Sequence, residues 1–424
     1  MGFSAKVALV ETITQLMPGL LERLPLILLF VSGYVAYRLM TVTRITDAFV
    51  IWALRRCNGR PTFLILYVIG AAAVLSAFIP NAITVLTLLP ILKSLDKDFR
   101  QQGVQGMTTP LMVSAIYGAG IGGMGSMIGT PANAVLLVAL DVLNVPGREQ
   151  ITFFNWFLWS VPLVIMFIGL AWLVAGVAGL PAGARGVRLR LSCQDDSCAI
   201  RSRQRFAVLL FSVFLGYWIA EAVLRAVSPD FAALSPAVST GFFIVFLLLV
   251  FVLPAPDGVR RGGPLLRPGD LVSGVPRRGL VFVLLLVVVF GGARFFGLDL
   301  IASAWVGERL AISMPPLLVF FLTVLAVIFL TEVLSNTVVV AGFFTIVHLT
   351  TQSHGMAALP LMIAVSVAST CAFMTPVATP SNALAFGEMR GASLRGMLLL
   401  GALLNILGAM LMTGWLSWVL PLVY

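Results

Sequence analysis

Four short polar segments interrupt otherwise apolar stretches of this chain, and they fall in pairs. Pro80-Asn81-Ala82 and Ser335-Asn336-Thr337 are each followed, 52 and 46 residues after their asparagine, by the next asparagine of a second segment. These second segments are Gly129-Thr130-Pro131-Ala132-Asn133 and Ala378-Thr379-Pro380-Ser381-Asn382. Broken backbone at membrane depth has no water to satisfy its N–H and C=O groups, so it survives only where it lines a cavity or is buried in protein. The run 76–85 also lies over the run 331–340 with Asn81 opposite Asn336. The chain is therefore read as two related halves, each carrying a hairpin tip and a helix break.

Composition places these segments in a membrane. Hydrophobic residues make up 60% of the chain and charged residues 10%, with a mean hydropathy of +1.05, whereas about a quarter of the residues in soluble domains are charged. The formal charge of +10 would suit a nucleic-acid partner if it formed one patch. Instead the basic residues cluster at 38–60, 93–100, 185–205, 260–278 and 390–395, as cytoplasmic loops do under the positive-inside rule. No nucleic-acid partner is expected; the partner is the lipid bilayer, and the expected location is the cell inner membrane, multi-pass.

A crossing helix needs about 20 apolar residues. The spans expected are 24–41, 107–140 with a break near Gly129, 155–180, 206–227, 235–253, 279–297, 356–388 with a break near Ala378, and 394–422. The remaining stretches, 62–92 and 313–349, have arms too short for two full crossings each and read as re-entrant hairpins. With the basic loops inside, the first hairpin enters from the cytoplasm and the second from outside, which makes the halves inverted. The organisation expected is an external or interfacial segment 1–23, a first repeat 24–180, a basic cytoplasmic loop 181–205, and a second repeat 206–424 whose scaffold helices occupy 206–297. Amphipathic stretches at 46–56 and 298–310 precede the hairpins. Residues 3–20 are only weakly hydrophobic and are expected to lack the basic start and small-residue cleavage site of a signal peptide. About eight crossing helices plus two hairpins result.

Leu330-Thr331-Glu332 before Ser335-Asn336-Thr337, together with the run from Cys371 to Gly387, resembles the second half of the divalent anion/sodium symporter family of the ion transporter superfamily. Gly122-Gly123 through Asn133 resembles the matching first-half segment. The resemblance implies an all-α polytopic membrane protein, an inverted repeat with two re-entrant hairpins and two broken helices, working as an elevator-type transporter and homodimer. It implies symport of a small anion (dicarboxylate, sulfate or a related oxyanion) with sodium as coupling ion, and no other cofactor. Carried over residue by residue, the first sodium site is Ser76, Asn81 and backbone at Gly129. The second is Thr331, Ser335, Asn336 and backbone at Ala378. The anion is held by Asn81, Asn336, Thr337, Thr379 and Thr130. Sodium, a hard cation, suits half-helix carbonyls and hydroxyls, and an anion suits helix N-termini.

Two departures from the family stand out. Pro80-Asn81-Ala82 replaces Ser-Asn-Thr at the first tip, losing two hydroxyls and one backbone donor; Pro80 either shapes the turn or marks a changed substrate or stoichiometry. Other branches of the superfamily with single-asparagine tips carry citrate or arsenite or exchange protons, so that alternative stays open. Against the family pattern, the first half is also expected to lack two scaffold helices at its start, absent or truncated. Glu332, an intramembrane carboxylate, is either a proton acceptor or, as favoured here, an anchor of its hairpin through hydrogen bonds. Asp141 and Glu388 are read as solvated helix-end acids. Cys193 and Cys198 have no nearby His to complete a zinc set, and Cys57 and Cys371 are packing residues. His348 and His354 are read as loop residues beyond the second hairpin. Glycines 118, 120, 122, 123 and 125 are read as close helix packing and unwinding, since no strand precedes them. An enzyme would need a nucleophile and base or metal ligands within the spans, and a channel would need a continuous polar pore; neither pattern is present.

Overall fold

The computed structural model describes residues 24–43, 45, 59–188, 202–254, 263–274, 314–353 and 355–424. The amphipathic stretches at 46–56 and 298–310, the span at 279–297, residues 1–23, Cys57, Cys193, Cys198 and His354 lie outside the described residues. The chain is mostly helical, and among the described residues β-pairing is limited to one isolated bridge between Pro254 and Pro264.

Two compact units are present. One comprises 1–45, 152–154 and 200–275, and contains α1 (Leu24–Val42), α7 (Ser202–Val227), α8 (Pro229–Phe251) and the short α9 (Pro268–Gly274). Here α1 packs against α7 and α8, and α7 against α8. The α7–α8 seam is aromatic and polar at once. The Tyr217 and Phe242 rings stack at 3.7 Å, Tyr217 donates to Ser239 Oγ at 2.9 Å, and Ser235 donates to the buried Glu221. Tyr34 and Arg38 of α1 donate to the Leu271 and Asp270 carbonyls of α9.

The other unit holds all four polar interruptions. In chain order it contains α2 (Pro61–Ser76), α3 (Asn81–Gln101), α4 (Thr108–Gly123), α5 (Pro131–Val142), α6 (Phe153–Trp172, extended by a π turn over Leu173–Ala178), α10 (Pro316–Thr331), α11 (Asn336–Ser353), α12 (Ala358–Ala368), α13 (Pro380–Glu388) and α14 (Leu394–Val423). The order hairpin, broken helix, long helix thus occurs twice. Proline opens α2, α5, α10 and α13 at the first helical positions, where its fixed φ suits the helix and its missing N–H costs nothing. The breaks cover 124–130 and 369–379.

The interruptions leave short helices. At 1.5 Å per residue, α2 and α10 reach about 24 Å and α5 about 18 Å, less than the roughly 30 Å hydrocarbon layer. By length and composition, three described helices can cross a membrane: Phe153–Ala178, Ala233–Phe251 and Leu394–Val423. Helices α2, α5, α10 and α12 are apolar but shorter.

Packing within this unit crosses between the halves. α2 lies along α4, and a methyl group on Gly122 would fall 2.6 Å from Ala73 Cα and collide with the Ala73 carbonyl oxygen. The glycines before the first break therefore serve close helix approach. α10 packs against α14 in the second half. The outgoing arm of each hairpin then meets the outgoing half of the other half's broken helix: α3 packs on α13, and α11 on α5. His348 sits within α11 rather than in a loop, half-buried, with Gln352 3.1 Å away. The hydrophobic pattern of 313–349 did not mark where this arm ends, because its end, 350–353, is polar and helical.

Candidate functional site

The two breaks are built to one plan. Thr130 (φ −139°, ψ 152°) and Thr379 (φ −141°, ψ 156°) stand before α5 and α13 in the same extended conformation, each followed by proline at the first helical position. Three residues after each threonine comes a buried asparagine whose amide reaches back across the break. Asn133 Nδ2 donates to Ser126 O at 2.9 Å and Gly123 O at 3.4 Å; Asn382 Nδ2 donates to Thr375 O at 2.9 Å and Ala372 O at 2.8 Å. The accepting carbonyls lie 7 and 10 residues back in both cases. A second equivalence ties each tip to its break: Ser126 Oγ donates to Ala77 O, and Thr375 Oγ1 donates to Glu332 O at 2.7 Å.

At the first tip, Ser76, Asn81, Gly129 and Thr130 are brought together. Ser76 is fully buried at the end of α2 and its hydroxyl donates to Asn81 Oδ1 at 2.7 Å. A methyl group on Gly123 would meet Thr130 Cγ2 at 2.5 Å and Asn81 Oδ1 at 3.4 Å. One on Gly129 would lie 2.5 Å from the Gly123 carbonyl oxygen. The Thr130 hydroxyl is buried here with no hydrogen-bond partner. Pro80 keeps the backbone role of its counterpart, since its carbonyl accepts from Ile83 and Thr84 N as the Ser335 carbonyl accepts from Val338 and Val339 N. The loss at this tip is confined to hydroxyls and one donor; the turn itself is intact.

At the second tip, Thr331 is buried and its hydroxyl donates to Ile328 O at 2.8 Å. Ser335 is exposed and caps α11 through Val338 N at 3.4 Å, Thr337 is half-buried, and Asn336 Oδ1 is buried without a partner. Thr379 accepts from Asn382 N at 3.2 Å and donates to Asn382 Oδ1 at 2.8 Å, with Ala378 buried beside it. Among the described residues, no hydrogen bond joins Thr331, Ser335, Asn336 or Thr337 to Ala378 or Thr379.

Glu332 instead joins this tip to the middle of the break, at 373–375. Its Oε1 accepts from Phe373 N and Met374 N at 2.7 Å and from Asn405 Nδ2 at 2.7 Å, and its Oε2 accepts from Thr375 N at 2.8 Å. Four donors converge on one buried carboxylate, which is the anchoring arrangement expected from the sequence. In the first half Ala77 occupies the matching position, and there the break is held through carbonyls: Trp156 Nε1 donates to Met124 O at 3.0 Å and Ser160 Oγ to Gly125 O at 3.2 Å.

The two broken helices also touch one another. Tyr117 and Phe373 meet edge to face at 5.2 Å, a methyl group on Gly120 would lie 2.8 Å from Thr370 O, and Ser366 Oγ donates to Asn133 Oδ1 at 2.9 Å. Cys371 is buried in the second break against Met412, Sγ to Sδ 3.9 Å. Asp141 and Glu388 are partly exposed and paired with Arg148 and Lys93. Among the described residues no His, Cys, Asp and Glu cluster fit for a metal ion occurs. Asn133, Asn382, Ser126, Ser366 and Asn405 are the polar residues that sequence reasoning left out of the site. The register of the two asparagines was visible in the sequence, but what their amides reach was not.

This arrangement has relatives. The model of a family described as citrate transporter, CitMHS, matches residues 4–348. The chain belongs to the citrate transporter family. Within the wider grouping, this membership agrees with the resemblance to the divalent anion/sodium symporters. The chain is 25% identical over 358 residues to a protein named sodium-dependent dicarboxylate transporter SdcS from Staphylococcus saprophyticus, covering 80% of this chain and 65% of that one. It is 24% identical over 419 residues to the protein of the same name from Staphylococcus aureus, covering 94% and 77%. The chain thus spans about two thirds to three quarters of these relatives' length. The crystal structure of the Alcanivorax borkumensis YdaH transporter shares the fold, with a TM-score of 0.62 at 14% identity, over 98% of this chain and 90% of that one. Together with the apolar helices, membership of this family makes the chain a multi-pass membrane protein of a transporter family rather than an enzyme.

Proposed function

We propose that this protein is a secondary active transporter that moves a small carboxylate anion of the dicarboxylate or citrate class together with sodium. The observation carrying this reading is the pair of equivalent breaks, each beside a hairpin tip and each with an unspent buried oxygen nearby. Thr130 Oγ1 is the one at the first break, and Asn336 Oδ1 is the one at the second tip. Hydroxyl, amide and carbonyl oxygens form a set that suits a hard monovalent cation without a carboxylate ligand, while the N-termini of α5 and α13 favour an anion. The relatives' names, sodium-dependent dicarboxylate transporters, support the same pairing of ion and substrate.

On this reading, Ser76, Asn81 and Gly129 serve the first cation, and Thr331, Ser335, Asn336 and Ala378 the second. Asn81, Asn336, Thr337, Thr379 and Thr130 serve the anion. The twofold order of hairpin, broken helix and long helix supports an inverted repeat with re-entrant hairpins. The gathering of all four interruptions in one compact unit supports an elevator in which that unit carries the substrate and the other acts as scaffold, in a homodimer of the inner membrane. The missing hydroxyls at Pro80 and Ala82 favour a second reading, in which only the tip at Asn336 binds a coupling ion.

The test is uptake into proteoliposomes of succinate, citrate and sulfate, with sodium and proton gradients imposed separately. Sodium-driven uptake of a carboxylate is expected, and Asn336→Ala abolishes it. Absence of gradient-dependent flux for every anion would refute transport; flux driven by protons alone would refute sodium coupling; near-normal uptake by the variant would refute the site.

A further inference from the structure

We propose that Asn133 and Asn382 are the positioning residues of the two breaks: their carboxamides hold the unwound segments in the shape that presents the remaining backbone oxygens to a coupling cation. This role rests on the transport reading above. Both side chains are buried, at 0% and 2% exposure, and both use their two donors and accept at the amide oxygen. Each amide nitrogen donates its two N–H groups to carbonyls 7 and 10 residues back, in the unwound segment and, for Asn133, also at the last residue of α4. Each amide oxygen accepts a hydroxyl, from Ser366 at 2.9 Å for Asn133 and from Thr379 at 2.8 Å for Asn382.

The chemistry needed is narrow. Carbonyls at the end of a helix lose their intrahelical donors, and in an apolar interior an unmet carbonyl is costly. A side chain that satisfies two of them at once fixes how the segment folds back, and so decides which oxygens stay unspent. Asparagine supplies two donors and one acceptor on a short stem. Aspartate has the same shape but no donor, and glutamine puts the donors one methylene further out. The same device at the same spacing in both halves, with different hydroxyl donors to the amide oxygen, marks a requirement of the break itself.

The two clamps differ in one respect. The Asn382 oxygen is served from within its own break, whereas the Asn133 oxygen is served by Ser366 of α12, the helix that runs into the second break. The first clamp therefore depends on the other half.

The test uses the purified full-length protein, in detergent for amide exchange and in liposomes for uptake. Asn382→Ala should speed exchange of backbone amides in 369–379 by about tenfold, the size expected for losing one or two hydrogen bonds, with 124–130 unchanged; Asn133→Ala should do the reverse. Sodium required for half-maximal uptake should rise about tenfold by the same arithmetic, with the KM for the anion at saturating sodium changed far less. A residue that merely supports the fold would lower stability and move both constants together. Exchange unaltered in both breaks, or raised evenly across the protein, overturns the clamp; localised exchange with unchanged sodium dependence overturns its positioning role. Should the alanine variants not give monodisperse protein, Asn133→Gln and Asn382→Gln carry the same measurements. If the unmutated protein takes up no anion, the transport reading fails, and the exchange data still decide the clamp.

Discussion

Replacing Glu332 with glutamine removes the charge from the side chain that joins the second tip to the second break while keeping its size. In the native arrangement the carboxylate accepts three backbone N–H groups and the Asn405 amide at 2.7 to 2.8 Å. With its oxygen at the Oε1 position, a glutamine retains the bonds from Phe373, Met374 and Asn405 in weaker, neutral form. Its NH2 then faces the Thr375 N–H, donor against donor. One buried donor left unmet costs about 1–3 kcal/mol, and hydrogen bonds to a charged group are worth about 1.5–3 kcal/mol against about 1 for neutral ones. The three weakened bonds and the one unmet donor together cost at least about 2.5 kcal/mol, a size typical of a broken buried network. Glu332→Ala leaves three backbone donors and an amide unmet and should cost more. The assay is chemical and thermal unfolding of the purified protein in detergent, followed by tryptophan fluorescence. A glutamine variant within about 0.5 kcal/mol of the native protein, the range of an ordinary surface change, would refute the idea that these bonds hold the break.

Two further outcomes follow from the packing. Gly122→Ala should destabilise by about 1–3 kcal/mol, the usual cost of overpacking, because the added methyl would lie 2.6 Å from Ala73 Cα; Gly169→Ala, with no atom within 4 Å of the new methyl, is the matched control and should not destabilise in the same unfolding assay. Ser366→Ala removes the hydroxyl from Asn133 Oδ1 and should cost about 1 kcal/mol, with amide exchange rising in 124–130 although the mutation lies in the other half.

Much of the site's location was legible in the chain. The asparagine-bearing tips and the Thr-Pro segments are local signals: proline and small polar residues within apolar runs end and restart helices wherever they occur, and the helices begin at Asn81, Pro131, Asn336 and Pro380 as those residues dictate. Glu332 was readable as an anchor because a carboxylate in an apolar stretch needs donors, though its donors at 373–375 were not. The polar end of α11, 350–353, was missed because hydropathy marks burial rather than helicity. Pro80 was ambiguous because its ring is compatible with both a plain turn and an altered site; its carbonyl bonds to Ile83 and Thr84 show that the turn is the same as at Ser335.

By itself, then, the sequence determined the membrane class, the twofold order of elements and the four places where helix must stop, since each depends on residue type over a few neighbours. Only the tertiary structure decided what those places do to one another. Asn133 and Asn382 reach carbonyls 7 and 10 residues back, Ser366 reaches Asn133 from 233 residues away, and α3 packs on α13 while α11 packs on α5. The physical reason is that a broken helix frees backbone groups without specifying their partners. In an apolar interior those partners must come from whichever side chains packing brings within about 3 Å.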